Sequence, residues 1–512
     1  MKKQVFRLLP ILLFFALFLS SCGQAEHLST ALSPLQNNGD NLSLTAIIDP
    51  ASEVRGVYIA TVHNIDFPSR PGLSAAQLKK ELDTIIETTV AAGLNTICFQ
   101  VRPAADALYK SEIFPVSEAL SPDGKLPMDP LAYLVEQAHK ANLFVHAWVN
   151  PLRVTTGYQS RPLTDISALP DGSPAKEHPE WTLAYEDGRL YFDPAHPEVR
   201  QLVADGVAEI VENYNVDGIL FDDYFYPYPV ADENDIPLPV DDSASFARYG
   251  NGRSLADFRR DNVNEMIRLV YDTIKAIAPE VRFGVAPFGI WQNDYGTNGG
   301  SATGGLESYS SIYCDPVAWA KGGYIDYIAP QIYWRFSTSV APFDELVQFW
   351  NRTLDGTGVE LLISHGAYNY EDWSNPQMEM AHQVAYARKA LTYRGSLFYG
   401  YDEIKKNYLD LTTELEDVFA EPIIYTDPAP TGLPVTIYSL PSGSYVDSAT
   451  VHISGTSSPD MPLTVNGSPV NRTRGGAFTL TLPLQPGENE FVFTQGNEIF
   501  TYVLHRGVAP QS

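Results

Sequence analysis

The chain has 512 residues and a mass of 56.6 kDa, which is more than one barrel-sized domain requires and predicts a main domain with a smaller appendage. Hydrophobic residues make up 44% of the chain and charged residues 19%, values that exclude a largely disordered protein. The formal net charge of −28 repels phosphate backbones, so nucleic acid is not an expected partner.

The N-terminus has the pattern of an export signal. Basic residues at positions 2, 3 and 7 precede an apolar run from Leu8 to Leu19, which suits a signal peptide and is too short for an anchored transmembrane helix. The tetrapeptide Leu19-Ser20-Ser21-Cys22 resembles a bacterial lipobox, which implies that Cys22 is lipidated and becomes the mature N-terminus. The alternative is an ordinary secretory signal with an incidental cysteine. We therefore predict a lipoprotein signal peptide at residues 1–22, a flexible tether at 23–50, and a protein that is lipid-anchored to a membrane of the cell envelope and faces the periplasm or the exterior.

After residue 50, short apolar, β-branched or aromatic runs alternate with longer segments of helical period, which is typical of a parallel sheet built from β-α units. Eight strands are predicted, at Gly56–Ala60, Thr96–Val101, Phe144–Val149, Gly218–Asp222, Arg282–Ala286, Tyr327–Ile332, Leu361–Ser364 and Ser396–Tyr399. A helical pattern follows each strand, the last near Lys405–Phe419. Eight such units predict an α/β fold, a (β/α)8 TIM barrel over residues 51–420.

The connections in this pattern differ in length. Turns from helix to strand are short, as at 92–95 and 141–143, whereas the loops from strand to helix at 150–196, 223–254 and 287–315 are long. A barrel carries long loops at the face where its strands end, because a site is built there. A doubly wound sheet is the alternative, but it usually has a Gly-rich phosphate turn after its first strand, and residues 58–63 contain none.

The composition changes near residue 421. Prolines mark a linker at 421–433, and alternating runs such as Thr450–Ser454 and Phe478–Leu482 follow, separated by Gly, Pro and Asn turns. These features predict a small C-terminal β-sandwich at 434–506. Its turn residues resemble those of the immunoglobulin-like modules that accompany bacterial wall and polysaccharide enzymes.

The end of the fourth predicted strand carries two adjacent carboxylates, Asp222 and Asp223. Because side chains alternate along a strand, Gly218, Leu220 and Asp222 share one face, and Asp223 begins the loop. If that face points into the barrel, both carboxylates lie at its mouth, where each raises the proton affinity of the other. A helix cap or a structural ion pair is the alternative. The strand end, the doubled charge and the aromatic residues that follow favour a catalytic role.

Polar and aromatic residues follow the other predicted strands as well. Planar rings beside amide and carboxylate groups suit a ligand with apolar ring faces and hydroxyls, which describes a sugar chain. Core packing is the alternative for any single tryptophan. The predicted substrate-binding residues are Gln100, Arg102, Asp106, His146, Trp148, Asn150, Arg153, Tyr224, Tyr226, Trp291, Gln331, Tyr333, Trp334 and Asp402.

A metal centre is the other chemistry that histidines at strand ends suggest. His146 and His365 fall at different strand ends and Asp222 is a possible third ligand, but the chain has no HxH or HExxH pair. Residues 364–366 lack the flanking glycines of a nucleophile elbow, and no phosphate-binding glycine pattern stands between a strand and a helix. We therefore predict neither a metal nor a cofactor.

Five ordered segments carry a family resemblance: Arg55–Tyr58 (RGVY), Phe99–Pro103 (FQVRP), His146–Pro151 (HAWVNP), Asp217–Tyr226 (DGILFDDYFY) and Pro330–Trp334 (PQIYW). Together they resemble the bacterial glycosyl-hydrolase-like family ten lipoproteins, from about Arg55 to Phe419. The resemblance implies a (β/α)8 protein that hydrolyses peptidoglycan glycan strands from which the stem peptides have been removed. That substrate is an N-acetylhexosamine polymer of the cell envelope, which agrees with a lipid anchor.

The mechanism that the resemblance implies is less direct. Barrel glycosidases with two glutamates place them after strands four and seven, where this chain has Asp222-Asp223 and Ser364-His365. Residues 217–227 also resemble a loosened chitinase motif, with Phe225 at the position of its terminal Glu. That motif uses one acid together with the acetamido oxygen of the substrate. We expect that Asp222 or Asp223 protonates the glycosidic oxygen while the other orients the acetamido group or a water. Reserve candidates are Asp106, Glu112 and Asp402.

The sequence is also compatible with two other functions for the same groove. A non-catalytic protein with an acidic, aromatic-lined groove would hold wall glycan without cutting it, with the C-terminal module as a second grip. A hydrolase of another secreted polysaccharide would share the fold and differ only in substrate.

Overall fold

The computed structural model describes residues 45–48, 52–156, 164–294, 299–372, 376–421, 423–426, 433–473 and 475–508. The predicted signal peptide, the lipidation site Cys22 and most of the predicted tether lie outside the described residues. Within these ranges no helix is both long and apolar enough to cross a membrane.

The main domain is a closed barrel of parallel strands. Within the described residues its eight strands are β1 Val54–Ile59, β2 Thr96–Arg102, β3 Phe144–Val149, β4 Gly218–Phe221, β5 Arg282–Val285, β6 Tyr327–Ile328, β7 Glu360–Gly366 and β8 Tyr393–Tyr399. Each strand pairs in parallel with the next, and β8 pairs with β1 to close the ring. The predicted (β/α)8 barrel is confirmed.

A helix follows every strand. The barrel helices are α1 Ala75–Ala91, α2 Pro130–Lys140, α3 Pro197–Asn213, α4 Leu255–Ile277, α5 Pro316–Gly322, α6 Phe343–Leu354, α7 Pro376–Ala387 and α8 Leu411–Ala420. Polar caps in the sequence start several of them: Asp129 accepts from the backbone N–H of Ala132 at 3.0 Å in α2, and Ser254 accepts from that of Asp257 at 3.1 Å in α4. Shorter helices and 3-10 turns occupy the loops, at Val62–Asn64, Ile166–Ala168, Pro174–Glu177, Pro179–Trp181, Ser243–Tyr249, Ser308–Ser311, Ala367–Asp372, Tyr401–Lys405 and Tyr408–Asp410.

Alternation along the strands separates two apolar layers. On β4, Ile219 and Phe221 pack outward against the helices, whereas Leu220 points into the barrel. The inner layer consists of Tyr58, Ala60, Cys98, Trp148, Leu220, Ala286, Tyr327, Ala329, Leu362 and Leu397. Because Asp222 follows Phe221, it continues the inner face at the end of the strand.

The C-terminal region forms a second body with its own core. In its described part, a three-stranded sheet contains β9 Thr436–Ile437, β11 Thr450–Thr456 and β14 Ala477–Pro483. A five-stranded sheet contains β10 Ser444–Val446, β12 Leu463–Val465, β13 Ser468–Pro469, β15 Gly487–Gln495 and β16 Glu498–Arg506. Apolar residues of both sheets, such as Ile453 and Phe493, form one buried cluster between them. The predicted β-sandwich is present, and its immunoglobulin-like character stays a prediction.

Two small sheets were not predicted. Thr45–Ile48 pairs antiparallel with Ile423–Thr426, so the end of the predicted tether and the start of the predicted linker form a two-stranded ribbon. Thr182–Ala184 pairs antiparallel with Leu190–Phe192 within the loop between β3 and α3.

Two element boundaries differ from the prediction for local reasons. Strand β6 ends at Ile328 and not at Ile332, because Pro330 has no N–H to donate to a neighbouring strand. The last predicted helix is divided into Tyr401–Lys405 and Leu411–Ala420. Between them Asn407, Leu409 and Asp410 have φ angles of 43°, 51° and 62°, which no right-handed helix contains.

Candidate active site

Asp222 lies at the mouth of the barrel, on the inward face that the alternation of β4 predicts. Its Oδ2 accepts hydrogen bonds from Trp148 Nε1 at 3.1 Å and Asn150 Nδ2 at 3.2 Å. Its Oδ1 accepts a longer one, 3.4 Å, from the backbone N–H of Tyr224. Because Oδ2 is occupied by two N–H donors, a proton on this carboxyl group belongs on Oδ1.

Asp223, the next residue, is equally buried and is held by different donors. The hydroxyl of Tyr228 donates to its Oδ2, and the side chain of Gln331, just beyond β6, forms a second hydrogen bond with the carboxylate. Asp223 is therefore held from its own loop and from the segment after β6, while β3 and the residue just beyond it supply the side-chain donors to Asp222.

Burial disfavours the charged form of both carboxyl groups. Burial raises the pKa of Asp222 to about 7; the guanidinium of Arg153 opposes this rise, and the carboxylate of Asp223 adds to it. Burial also raises the pKa of Asp223, and the hydrogen bonds from Tyr228 and Gln331 oppose that rise. The pair titrates as a unit, with the donors around Asp223 favouring it as the ionised member.

Arg153 is the cation beside the pair. Its guanidinium lies 4.0 Å from the ring centroid of Tyr224, and Nη1 donates to the carbonyl oxygen of Pro103 at 3.4 Å. Its backbone N–H donates to Oδ1 of Asn150 at 3.0 Å. Because Oδ1 of Asn150 accepts this bond, its amide nitrogen points at Asp222. Residues 150–153 therefore supply both a hydrogen-bond donor to Asp222 and the positive charge beside it.

An aromatic wall stands beside the carboxylates, formed by Tyr58, Trp148, Tyr333, Tyr368 and Tyr399. Tyr58 packs edge-on against Trp148 and Tyr399, with ring centroids 5.4 and 6.0 Å apart. Tyr399 stacks on Tyr333 at 6.0 Å with an interplanar angle of 12°. Tyr368 packs edge-on against Tyr333 and Tyr399 at 5.8 and 5.6 Å. Tyr58 and Trp148 are buried, and the hydroxyl of Tyr58 bonds Ser364 Oγ at 2.7 Å, so Tyr333, Tyr368 and Tyr399 are the members that offer flat faces to sugar rings.

Gln100 and His146 point inward but lie beneath this wall as structural groups. Oε1 of Gln100 accepts from the backbone N–H groups of Thr61 and Val62 at 2.9 and 2.8 Å, which fixes the loop after β1. His146 Nδ1 is 2.8 Å from the hydroxyl of Tyr327, and burial lowers the pKa of its ring to about 3, so it is neutral. Both side chains thus lie inside the barrel, and the Oε1 of Gln100 and the Nδ1 of His146 are used in contacts that hold the fold.

Arg102 needs a correction, because it does not reach the mouth. A register shift between Gln100 and Arg102 turns the arginine to the outer face, opposite Val149. Its guanidinium lies 3.6 Å from the ring centroid of Phe114 and close to Gly206 of α3, where an added Cβ would be 2.6 Å from Nη1. Arg102 therefore joins the barrel to its helices and does not line the groove.

Tyr226 and Trp291 also point away from the carboxylates. Tyr226 is 1% exposed and packs edge-on against Tyr313 at 5.2 Å within the outer layer. Trp291 donates from Nε1 to Oδ1 of Asp315 at 3.0 Å, at the start of α5, and stacks on Phe349 at 6.2 Å. Both are packing residues in this structure, and the prediction that they bind substrate is wrong for this geometry.

Trp334 and Asp402 lie at the periphery. Trp334 packs edge-on against Phe288 at 5.4 Å, on the outer side of the segment that carries Gln331. Asp402 forms an ion pair with Lys406 at 2.9 Å on the short helix Tyr401–Lys405, with its side chain 60% exposed. Neither contacts the carboxylate pair.

The reserve carboxylates have structural positions. Asp106 accepts from the backbone N–H of Ala104 at 3.2 Å and also bonds Ser117, which closes the loop after β2. Glu112 is exposed, and its backbone N–H donates to Glu209 of α3 at 2.6 Å, outside the mouth. Asp222 and Asp223 are thus the predicted carboxylates that the fold brings together.

The residues considered for a metal do not meet. His365 points outward, where Nδ1 lies 3.2 Å from Gln383 Oε1 and Nε2 lies 3.0 Å from Ser396 Oγ. His146 is engaged with Tyr327 inside the barrel. Over the described ranges no group of three or more His, Cys, Asp or Glu side chains has the arrangement of a metal site.

Three residues of the site were missed by the sequence reasoning. Tyr58 lies on the inward face of β1, so the alternation of side chains along that strand was a sufficient signal for it. Tyr228 and Tyr368 lie on loops, where no periodicity indicates a direction. Their roles follow only from the folded structure.

Comparison with known proteins gives one family and a consistent set of relatives. The model of the family described as Glycosyl hydrolase-like 10 matches residues 53–381. The glycosyl hydrolase YngK of Bacillus subtilis (strain 168) is 38% identical over 383 residues, which are 73% of this chain and 73% of that protein. The glycosyl hydrolase DigH of Escherichia coli (strain K12) is 34% identical over 380 residues, 72% of this chain and 84% of that protein. Among solved structures, an endo-beta-1,4-mannanase from Thermotoga petrophila aligns with a TM-score of 0.48 and 11% identity, covering 89% of this chain and 98% of that one.

Proposed function

The chain belongs to the glycosyl hydrolase-like 10 family and is a glycosidase, and from that premise we propose that it cleaves an N-acetylhexosamine glycan of the cell envelope by acid catalysis at Asp222 and Asp223. The substrate we propose is the glycan strand of peptidoglycan after its stem peptides have been removed. The lipid anchor at Cys22 would hold the enzyme at a membrane of the envelope, next to that polymer.

The observation that supports this chemistry is that two adjacent buried carboxyl groups accept hydrogen bonds from different sets of donors. Asp222, with a pKa of about 7 and Oδ1 available for a proton, is the proposed proton donor to the glycosidic oxygen. Asp223, which accepts from Tyr228 and Gln331, is the proposed ionised partner. Pairs of acids whose surroundings separate their roles are the usual arrangement in glycoside hydrolysis.

The proposed reaction uses the acetamido group of the substrate. Its carbonyl oxygen forms a bond to the anomeric carbon as the glycosidic C–O bond breaks, and the leaving oxygen takes the proton of Asp222. Asp223 accepts a hydrogen bond from the acetamido N–H and stabilises the positive charge of the cyclic intermediate. Water then attacks the anomeric carbon and gives one proton to Asp222, while the bond between that carbon and the acetamido oxygen breaks and its electron pair restores the neutral amide.

The charge of the mouth supports a stripped strand as substrate. Removal of the stem peptides leaves a free lactyl carboxylate on every second sugar. Arg153 places a cation beside the carboxylate pair and over the ring of Tyr224, in a chain whose net charge is −28. A carboxylate-bearing glycan can pair with that guanidinium, and a neutral glycan cannot.

The proposal is tested by assaying the purified full chain and its Asp222→Asn and Asp223→Asn variants on peptidoglycan treated with an amidase. We expect the wild-type protein to release short glycans, and each variant to lose at least about a hundredfold in rate. Asp235→Asn is the matched control, because Asp235 is exposed in the same loop after β4 and should leave the rate unchanged.

The same experiment separates the remaining alternatives. Wild-type protein that retains stripped strands without shortening them would identify a glycan-binding protein. Cleavage of another polysaccharide from a panel, with no cleavage of stripped strands, would identify a different substrate. Full activity in both folded Asn variants would remove the catalytic assignment itself. Mass analysis of the released ends then names the product, since the proposed route gives a reducing sugar.

A further inference from the structure

The C-terminal module does not hang from the barrel on its linker but packs against α6 and α7. Oδ2 of Asp344, at the start of α6, accepts from Thr473 Oγ1 at 2.6 Å and from the backbone N–H of Ala477 at 3.1 Å. The hydroxyl of Tyr386 in α7 donates to the carbonyl oxygen of Gly475 at 3.0 Å. All three module residues belong to the turn before β14 or its first position, so this turn is bonded to two barrel helices.

A second contact reaches a loop of the barrel mouth. Tyr438, just after β9 and 6% exposed, stacks on His382 of α7 with centroids 4.5 Å apart. It also packs against Phe336 at 5.1 Å. Phe336 is itself 1% exposed, and its backbone N–H donates to Oε1 of Glu379 at 3.0 Å. The module thus covers Phe336 on the side that the barrel leaves open.

Phe336 ends the segment that carries two residues of the candidate active site. Gln331, five positions earlier, bonds Asp223, and Tyr333 stacks on Tyr399 in the aromatic wall. Between them and Phe336, the carbonyl oxygen of Trp334 accepts from Gln383 Nε2 of α7 at 3.0 Å. One continuous segment, residues 331–336, therefore runs from the carboxylate pair to the module and is fastened to α7 along the way.

We propose that the C-terminal module is a positioning element of the active site, in which Tyr438 holds Phe336 and so fixes the 331–336 segment with Gln331 and Tyr333. Tyr438 acts through Phe336 and touches no substrate. The inference rests on the proposed function only where activity is measured, because the order of the segment can be observed without any substrate.

The first test is hydrogen–deuterium exchange on the full chain with Tyr438→Ala. The reporters are the amides of Gln331, Ile332 and Phe336, which donate to Pro287 O, Ser364 O and Glu379 Oε1. We expect their exchange to accelerate in Tyr438→Ala and not in Tyr438→Phe, which keeps the ring. Tyr445→Ala is the matched control, because Tyr445 is 44% exposed in the same module and stacks on His505 of that module, at 4.8 Å. Unchanged exchange of the segment in Tyr438→Ala overturns the proposal.

A second variant loosens the docking without changing the aromatic contact. An added Cβ at Gly475 would overlap the Asp344 carboxylate, so Gly475→Ala should separate the two surfaces and give the same exchange pattern. If Tyr438→Ala fails to fold, this variant decides the question.

A third test measures the kinetics of cleavage of stripped glycan strands. Tyr438→Ala should lower kcat on the order of tenfold, because catalytic groups lose their fixed geometry. Since the hydrogen bond from Gln331 lowers the pKa of Asp223, its loss should also move the acidic limb of the pH profile to higher pH, which a merely destabilised protein would not show. If the wild-type protein cuts no strand, the proposed function fails while the exchange result still stands. Faster exchange with unchanged kcat and pH profile would reduce the module to a structural support and overturn its positioning role.

Discussion

Trp148 Nε1 donates to Asp222 Oδ2 across neighbouring strands, at 3.1 Å. The indole lies on the inward face of β3, and the carboxylate continues the inward face of β4. The pairing of these two strands in the barrel therefore brings the groups together. The same indole packs against Tyr58 in the aromatic wall. One side chain thus joins the surface on which a sugar would lie to the proposed proton donor, which makes it the most informative residue to alter.

Trp148→Phe keeps an aromatic face and removes the N–H donor. Hydrogen bonding to the ionised carboxylate lowers the pKa of Asp222, so its loss raises that pKa above about 7. An acid catalyst works only while protonated, and the basic limb of the profile of kcat/KM against pH should therefore move to higher pH. We expect kcat to fall on the order of tenfold, as the carboxyl group loses one of its two side-chain donors. A basic limb that stays in place would contradict the assignment of Asp222 as the acid. Trp319→Phe, which alters an indole of α5 bonded to Asn264, serves as the control.

Arg153→Gln removes the cation beside the pair. Since Arg153 opposes the rise in the pKa of Asp222, this change should also move the basic limb to higher pH. If Arg153 pairs with a lactyl carboxylate, KM for stripped peptidoglycan strands should rise by about tenfold or more, while KM for neutral chitin oligomers stays the same. Equal effects on the KM of both substrates would show that Arg153 acts only on the pKa values of Asp222 and Asp223 and does not bind a substrate carboxylate. Arg248→Gln, at an exposed position of the same domain, is the control.

Gly366→Ala tests the aromatic wall. An added Cβ at this inward position of β7 would lie 3.0 Å from Cβ and Cγ of Tyr333, so the tyrosine must move by a few tenths of an ångström within its stack on Tyr399. We expect KM for the glycan to rise several-fold with a smaller effect on kcat, because the wall and not the carboxylate pair is disturbed. Gly304→Ala is the control, since nothing lies within 4 Å of its added Cβ. An unchanged KM would show that Tyr333 does not contact the substrate.

Most of the correct predictions follow from the alternation of side-chain directions along a strand. Alternation along β4 predicted Asp222 at the mouth, and alternation along β3 predicted Trp148 and Asn150 on the same inward side. The rule failed at Arg102, because the register shift after Gln100 turned the side chain outward and no residue type marks such a shift. The prediction for Tyr226 was wrong for a related reason. The alternation of side chains ends where β4 ends, so it gives no direction for a residue of the following loop.

Contacts made by loops and between distant segments could not be predicted. Tyr228 bonds Asp223 from five positions along the same loop, where no periodicity sets the direction of the side chain, and the module covers Phe336 from more than a hundred positions away along the chain. Each partner alone has an ordinary local sequence, and only the folded chain shows that they meet. The proline-rich linker pointed correctly to a second domain but contained no sign that the domain is docked.

The docking surface makes stability depend on pH through Asp344. Burial raises the pKa of this carboxyl group to about 6, from an ordinary value of 3.8. A raised pKa means that the folded state binds the proton more tightly, so the stabilising contribution is complete below the unfolded value and is lost as the pH rises through about 6. At neutral pH the ionised group weakens the folded state.

Asp344→Asn removes that charge and keeps a carbonyl oxygen to accept from Thr473 and Ala477. We expect the variant to be more stable than the wild-type chain at pH 8 by about 1 to 3 kcal/mol, and equal to it or slightly less stable near pH 4. Calorimetric melting at both pH values measures the difference. Asp355→Asn, an exposed position just beyond the same helix, should show no such dependence. A stability difference between Asp344→Asn and wild type that does not change with pH would show that Asp344 is not the group through which docking responds to pH.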